Sequence, residues 1–194
     1  MLKPPSGADG NLNAWIDFNG NGVLDDVGEQ IAANEVITNG GSVVPSVNVP
    51  ITATQGITTY SRFRFSSETD LTPTGLATDG EIEDYPVSVL SLDFGDLTND
   101  AVNHPTLYAD DGPRHVIDPD ANPILGSIVD NESDGQPSTN ADGDDGTNAN
   151  DEDGVIIPPL VPGTTITVTV SVNNPTAMNA YLTGWLDYDN DGVL

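Results

Sequence analysis

The sequence predicts an all-β protein, a β-sandwich of the immunoglobulin-like or jelly-roll-like kind. Two observations carry this. Residues Thr165 to Val172 alternate without a break, with Ile166, Val168, Val170 and Val172 on one face and threonine or serine on the other. No long stretch keeps apolar residues at helical spacing, while Gly, Pro, Asn, Thr and Val dominate and turn residues separate short apolar runs.

Taken in order, the first element is the strand through Trp15, which runs into an acidic turn. Val43 to Ile51 reads as a second strand. Thr59 to Ser66 reads as a third, with Tyr60, Arg62 and Arg64 on one face and Phe63 and Phe65 on the other. Tyr85 to Leu92 follows, and Thr165 to Val172 closes the set. Trp15 and Trp185 are expected in the core, where strand alternation supplies apolar neighbours.

One segment occurs twice. Near the start the chain reads Trp15-Ile-Asp17-Phe-Asn19-Gly-Asn21-Gly22-Val-Leu24, and at the end Trp185-Leu-Asp187-Tyr-Asp189-Asn-Asp191-Gly192-Val-Leu194. The offset is 185 − 15 = 170 residues, and it holds without a gap from Pro5 and Pro175 onward. Repetition at a fixed period is the mark of tandem arrays. The chain therefore reads as one period of a longer array, cut inside a domain. The expected parts are residues 1–92, the later strands of one domain; residues 93–154, an acidic connecting region; and residues 155–194, the first strands of the next domain.

Charge narrows the function classes. The formal net charge is −27, from 31 acids against 4 bases. Nucleic acid and anionic lipid would repel such a chain, so neither is an expected partner. Self-repulsion on this scale calls for neutralisation, and divalent cations supply it. There is no cysteine, and Lys3 is the only lysine, so neither disulfides nor a lysine crosslink is expected to brace the fold. No apolar run is long enough to insert into a membrane.

Both copies of the repeated segment look like calcium loops. Asp17, Asn19 and Asn21 alternate ahead of Gly22, as do Asp187, Asp189 and Asp191 ahead of Gly192. Alternate oxygens can face one ion, the glycine permits a sharp turn, and Val23 offers a backbone carbonyl. Glu29, one step beyond the closing position of a helix-flanked calcium loop, or an acid of the Glu81/Glu83 pair can complete the shell. A plain Asp/Asn-Gly turn that binds nothing is the competing reading. Glu81 and Glu83 share one strand face, and the expectation is a cation or an arginine between them, with Arg62 and Arg64 as structural partners. About half of the acids fall between Asp93 and Gly154. They form spaced groups: Asp93 with Asp96, Asp110 with Asp111, Asp130 with Glu132, and Asp144 with Asp145 and the Asp151 to Asp153 run. The expectation is an ordered module clasped by Ca2+, against the alternative of a disordered acidic linker.

The run Asp79-Gly80-Glu81-Ile82-Glu83-Asp84-Tyr85 closely resembles the signature of the bacterial GEVED domain, with isoleucine for valine. The Trp15 to Gly22 segment, Tyr60 to Ser66 and Thr74-Gly75 fall where that family has them, and the acidic stretch resembles the region ahead of such domains. The resemblance implies a non-catalytic repeat of a secreted or surface-anchored bacterial protein, an adhesin, stalk or filament. Its order is permuted here, since the alternating strand sits at the C-terminal side and the signature at the N-terminal side. Two arrangements would complete the sheet: closure within one chain, or head-to-tail addition of strands from a neighbouring copy. The alternative function is a calcium-dependent carbohydrate-binding module of a secreted enzyme, using Trp and calcium for sugar; cell-surface glycans are a further expected partner. No nucleophile elbow, phosphate loop or zinc-protease pattern is present, and His104 and His115 alone make a poor zinc site.

Overall fold

The computed structural model describes residues 7, 9–118, 122–143 and 150–194. The chain divides into two compact units, Met1–Val89 and Leu90–Leu194.

The first unit is built on one antiparallel sheet. Its strands are β1 (Gly10–Ile16), β2 (Gln30–Ile37), β3 (Ile57–Ser66) and β4 (Glu81–Val89), in the order β2-β1-β3-β4. Strand β1 is central. Trp15 faces Arg62, Ala14 faces Phe63 and Leu12 faces Phe65. Directly paired residues share a face. One face therefore carries Leu12, Ala14, Phe63, Phe65, Glu81, Glu83, Tyr85 and Val87. The other carries Asn13, Trp15, Arg62, Arg64 and Asp84.

The two faces are covered differently. On the second, Arg64 is 6% exposed and its guanidinium donates to the carbonyls of Thr72, Thr74 and Gly75 at 2.6–3.0 Å. This ties the 67–80 loop to the face on which Trp15 and Asn13 are buried. On the first face two small apolar clusters form. Leu12, Ala14 and Ala32 gather with Ile37, Val43 and Phe63, and Ile16, Phe18 and Ala53 gather with Val87 and Val89. Towards β4 that face stays open, as a groove of about 450 Å3 lined by Leu12, Phe63, Phe65, Glu81, Glu83 and Tyr85.

The second unit holds short antiparallel pairs: β5 (Ser91–Phe94) with β6 (Arg114–Ile117), β7 (Ile124–Leu125) with β10 (Val172–Asn173), and β8 (Val155–Ile156) with β9 (Thr169–Val170). A 3-10 turn spans Tyr108–Asp110, and Arg114 stacks on the Tyr108 ring at 4.8 Å.

The all-β class and the strands around Trp15 and Arg64 stand as the sequence predicts. Two expected strands differ. Val43 to Ile51 forms no strand, and Val44 is 91% exposed. Of Thr165 to Val172, strand pairing covers Thr169, Val170 and Val172, and Ser171 between them is bonded to Gly154 and Gly126. Alternation makes a segment fit a sheet, yet a strand exists only where another backbone satisfies its N–H and C=O groups. Trp185 departs from its core assignment at 66% exposure. It lies outside any strand, so nothing covers its ring.

Candidate metal centre

The turn after β1 is held by its own side chains. Asp17 is 2% exposed, and its Oδ1 accepts the N–H groups of Gly20 and Asn21 at 2.7 and 3.2 Å, while Oδ2 accepts that of Gly22 at 2.9 Å. Asn19 Oδ1 takes the N–H of Asn21, and Asn21 Oδ1 that of Val23. Gly20 and Gly22 both have positive φ, 71° and 83°, and Asp17 can receive these amides only because the backbone turns back twice. Beneath the loop, Phe18 packs with Ile16 and Ala53, and the Thr54 and Thr59 hydroxyls donate to the carbonyls of Asn19 and Asp17. The loop is thus seated on the sheet.

Glu29 enters from the start of β2, 3% exposed. Its Oε1 accepts the N–H of Phe18 at 3.1 Å and faces that of Asn19 at 3.5 Å. Its Oε2 is buried and accepts nothing. Burial pushes the Glu29 carboxyl above its ordinary range, and the charges of Asp17 and Asp26 add to the push against the opposing N–H groups. The ion pairs among the described residues, Arg62–Asp84 and Arg114–Asp111, lie elsewhere. A buried carboxylate beside a second one, with a bare oxygen and no basic side chain, has the chemistry that a hard cation resolves.

Asp26 belongs to the same loop, and the alternating-oxygen pattern misses it. Its Oδ2 accepts Asn19 Nδ2 at 2.9 Å and Asn21 Nδ2 at 2.7 Å, and these donors hold its pKa low. The signal was the Asp25-Asp26 pair just ahead of Glu29. Asp17, Asn19, Asn21, Asp26 and Glu29 offer oxygens of the hard kind that Ca2+ takes, although among the described residues only Asp187, Asp189 and Asp191 bring three acidic oxygens within 4.8 Å of one another. Val23 contributes its N–H to Asn21, with its side chain half exposed.

The second copy folds the same way locally. The N–H of Gly192 reaches Asp187 Oδ2 at 2.9 Å and that of Val193 reaches Asp191 Oδ1 at 3.0 Å, bonds that match those of Gly22 and Val23. Asn190 and Gly192, at φ 56° and 82°, repeat the two positive-φ turns. Oxygens of Asp187, Asp189 and Asp191 lie within 4.8 Å of one another. The Gly192 N–H, foremost, keeps the Asp187 carboxyl low.

Glu81 and Glu83 project from β4 beside Phe65 and Phe63, away from the turn. Glu83 accepts the Tyr85 hydroxyl. The expected arginine partnership is absent: Arg62 makes a bidentate pair with Asp84 at 2.7–2.8 Å, and Arg64 holds loop carbonyls. The register places both arginines on the opposite face from the glutamates. Asp79 instead receives the Ser66 and Ser67 hydroxyls and closes the end of the 67–80 loop. Gly80 has φ 98°, and a Cβ there would lie 1.9 Å from the Phe65 carbonyl oxygen. These contacts explain the signature run: glycine for close approach, Asp84 for Arg62, and Asp79 as a cap.

In the second unit, Glu132 is 5% exposed and its Oε2 accepts the Phe94 N–H at 2.9 Å. Burial, then the shared hydrogen bond with Asp130 and the charge of Asp93, push its carboxyl up to about 9. Asp151 accepts the Asp130 N–H at 3.3 Å, so Asp93, Asp130, Glu132 and Asp151 share one neighbourhood. Asp96 is buried and its carbonyl accepts the N–H of Ser138. Asp153 accepts the N–H of Ser127 at 3.0–3.1 Å and sits apart. Asp110 bonds Asn99, and Asp111 pairs with Arg114, so these neighbours turn to different partners. Asp144 and Asp145 lie outside the described residues.

Residues 11–88 match the model of the GEVED domain. The match spans β1 through nearly all of β4, and the turn of Asp17 to Glu29 lies inside the matched residues. The comparison with curated proteins found no match, and neither did that with solved structures.

Proposed function

We propose that this chain is a non-catalytic calcium-binding repeat unit of an extracellular bacterial structural protein, an adhesin, stalk or filament. The observation that carries the calcium reading is the buried, bare Oε2 of Glu29 beside the buried carboxylate of Asp17. The equal turn geometry at Asp187 to Val193 supports it, since the sequence repeats the donors and the backbone repeats their placement. The Asp130–Glu132 pair, with Asp93 and Asp151 nearby, is a second candidate for a shared ion. Ions in such turns would offset the −27 charge and stiffen a fold with small apolar clusters. A repeated, cysteine-free, acidic unit suits an extracellular surface, where calcium is abundant.

Calcium titration followed by calorimetry tests this. The expected result is saturable binding that Glu29→Gln removes from the first loop while the wild-type fold persists by circular dichroism. Binding unchanged by Glu29→Gln and by Asp17→Asn would overturn the assignment of this loop.

The alternative, a carbohydrate-binding module of a secreted enzyme, would use Trp with calcium, or an exposed aromatic row on one sheet face; Trp15 is buried and Trp185 is 66% exposed. Phe63 and Tyr85 meet edge to face at 76°, so this pair offers no flat stacking platform.

A further inference from the structure

We infer that Asn39 is a site of spontaneous covalent modification, where the backbone nitrogen of Gly40 closes on the asparagine side chain and leaves an isoaspartyl link, and that the two Asn-Gly pairs of the acidic turn are held out of the same reaction. The chain has three such pairs: Asn19-Gly20, Asn21-Gly22 and Asn39-Gly40. All of these residues are exposed, so access to water does not separate the pairs, whereas their hydrogen bonds do.

The reaction needs two free groups. The backbone nitrogen of the following residue must lose its proton, and the side-chain amide must swing back to meet it. A bond forms between that nitrogen and the asparagine Cγ, the Cγ–NH2 bond breaks, and ammonia leaves with the proton that the nitrogen released. Water then opens the cyclic imide at either carbonyl, giving an aspartyl or an isoaspartyl link. Glycine in the following position has no side chain to obstruct the attack. Water is the co-reactant.

In the acidic turn both groups are held. The Gly20 N–H donates to Asp17 Oδ1 at 2.7 Å and the Gly22 N–H to Asp17 Oδ2 at 2.9 Å. A carboxylate against an N–H opposes loss of its proton, because it would then face a second negative charge. The side-chain amides are fixed as well. Asn19 Nδ2 and Asn21 Nδ2 donate to Asp26 Oδ2 at 2.9 and 2.7 Å, and their Oδ1 atoms accept the N–H groups of Asn21 and Val23.

At Asn39 neither restraint is present. Among the described residues, none hydrogen-bonds the Asn39 side chain or the Gly40 N–H. The pair forms the corner of a turn just beyond β2, closed by the Gly41 N–H on the Thr38 carbonyl at 2.8 Å. Gly40 has φ 75°, as the third residue of such a turn requires, with open space around it. The segment that follows forms no strand, so no ladder resists rotation of the turn. Conversion adds a negative charge beside an edge strand. The isoaspartyl form also lengthens the backbone ahead of Val43, which packs against Leu12, Ala14 and Ala32. The acidic turn keeps its amides, although the second copy carries Asp189 and Asp191 at the equivalent places.

Peptide mapping by mass spectrometry tests this on the full chain, incubated in mildly alkaline buffer with chelator, either folded or in concentrated guanidinium chloride. In the folded chain Asn39 is expected to convert, with the isoaspartyl product detected by an isoaspartyl methyltransferase. Asn19 and Asn21 should lag by at least about tenfold, because a bond to a charged acceptor must open first. In denaturant the three should convert at similar rates. Gly40→Ala should slow conversion at Asn39 and leave the other two unchanged. Conversion of Asn19 or Asn21 as fast as Asn39 in the folded chain overturns the proposal, as does an Asn39 that stays intact there. Neither outcome depends on whether the turn binds calcium.

Discussion

Trp15 and Trp185 hold equivalent places in two copies of one segment, and they have opposite environments: Trp15 is 3% exposed and Trp185 is 66% exposed. The local turn that follows each is nevertheless the same, with Gly22 and Gly192 donating to Asp17 and Asp187 at 2.9 Å. The turn is encoded locally, and the burial of the ring is not. Single-tryptophan variants should report this. Trp185→Phe, which leaves Trp15, should emit in the blue and resist acrylamide; Trp15→Phe, which leaves Trp185, should emit in the red and quench readily. Equal quenching of the two would contradict the structure.

Glu29 makes a crossed prediction with metal and pH. Its folded pKa is raised, chiefly by burial. A raised carboxyl stabilises the fold at low pH, and that stability is lost as pH climbs from the ordinary glutamate value through the folded one. In chelator, Glu29→Gln should therefore melt no lower than wild type at pH 8. In calcium the order should reverse, since a ligand at 100 times its dissociation constant adds about 2.7 kcal/mol. Thermal melts in both buffers give the four values needed.

Glu132 should dominate the alkaline behaviour of the second unit without metal. With its carboxyl raised to about 9 by burial and by Asp130, the folded state holds a proton that the unfolded chain has released. Stability in chelator should fall progressively between about pH 4.5 and 9. Glu132→Gln should flatten that slope, measured by urea denaturation at several pH values.

Gly80→Ala should destabilise the first unit by roughly 3 kcal/mol. The added methyl would meet the Phe65 carbonyl oxygen, which is backbone and cannot swing aside. Gly40→Ala, also at positive φ but with open space around it, should cost only about 1 kcal/mol and serves as the control.

Arg64→Ala should cost about 2–4 kcal/mol and release the 67–80 loop, because three carbonyls would lose a buried charged donor. Arg64→Lys should recover only part, as a single ammonium cannot match a fork that spans Thr72, Thr74 and Gly75. Hydrogen exchange across residues 67–80 reads the release directly.

Much of this molecule is legible in its residues alone. Alternation through Tyr60 to Ser66 named a strand and its two faces, and the signature run pointed to the family whose model residues 11–88 match. The spacing of Asp17, Asn19, Asn21 and Gly22 named the turn, because every bond that shapes it closes within a few residues. Asp26 and the bare oxygen of Glu29 were out of reach, since they matter only once β1 and β2 pair and bring Glu29 under the turn. Pairing register, which is a property of two backbones, set Glu81 and Glu83 apart from Arg62 and Arg64. The same limit explains Val43 to Ile51 and Thr165 to Val172. Their sequences determine that they can be strands, while the presence of a neighbouring backbone, which only the tertiary structure decides, determines whether they are.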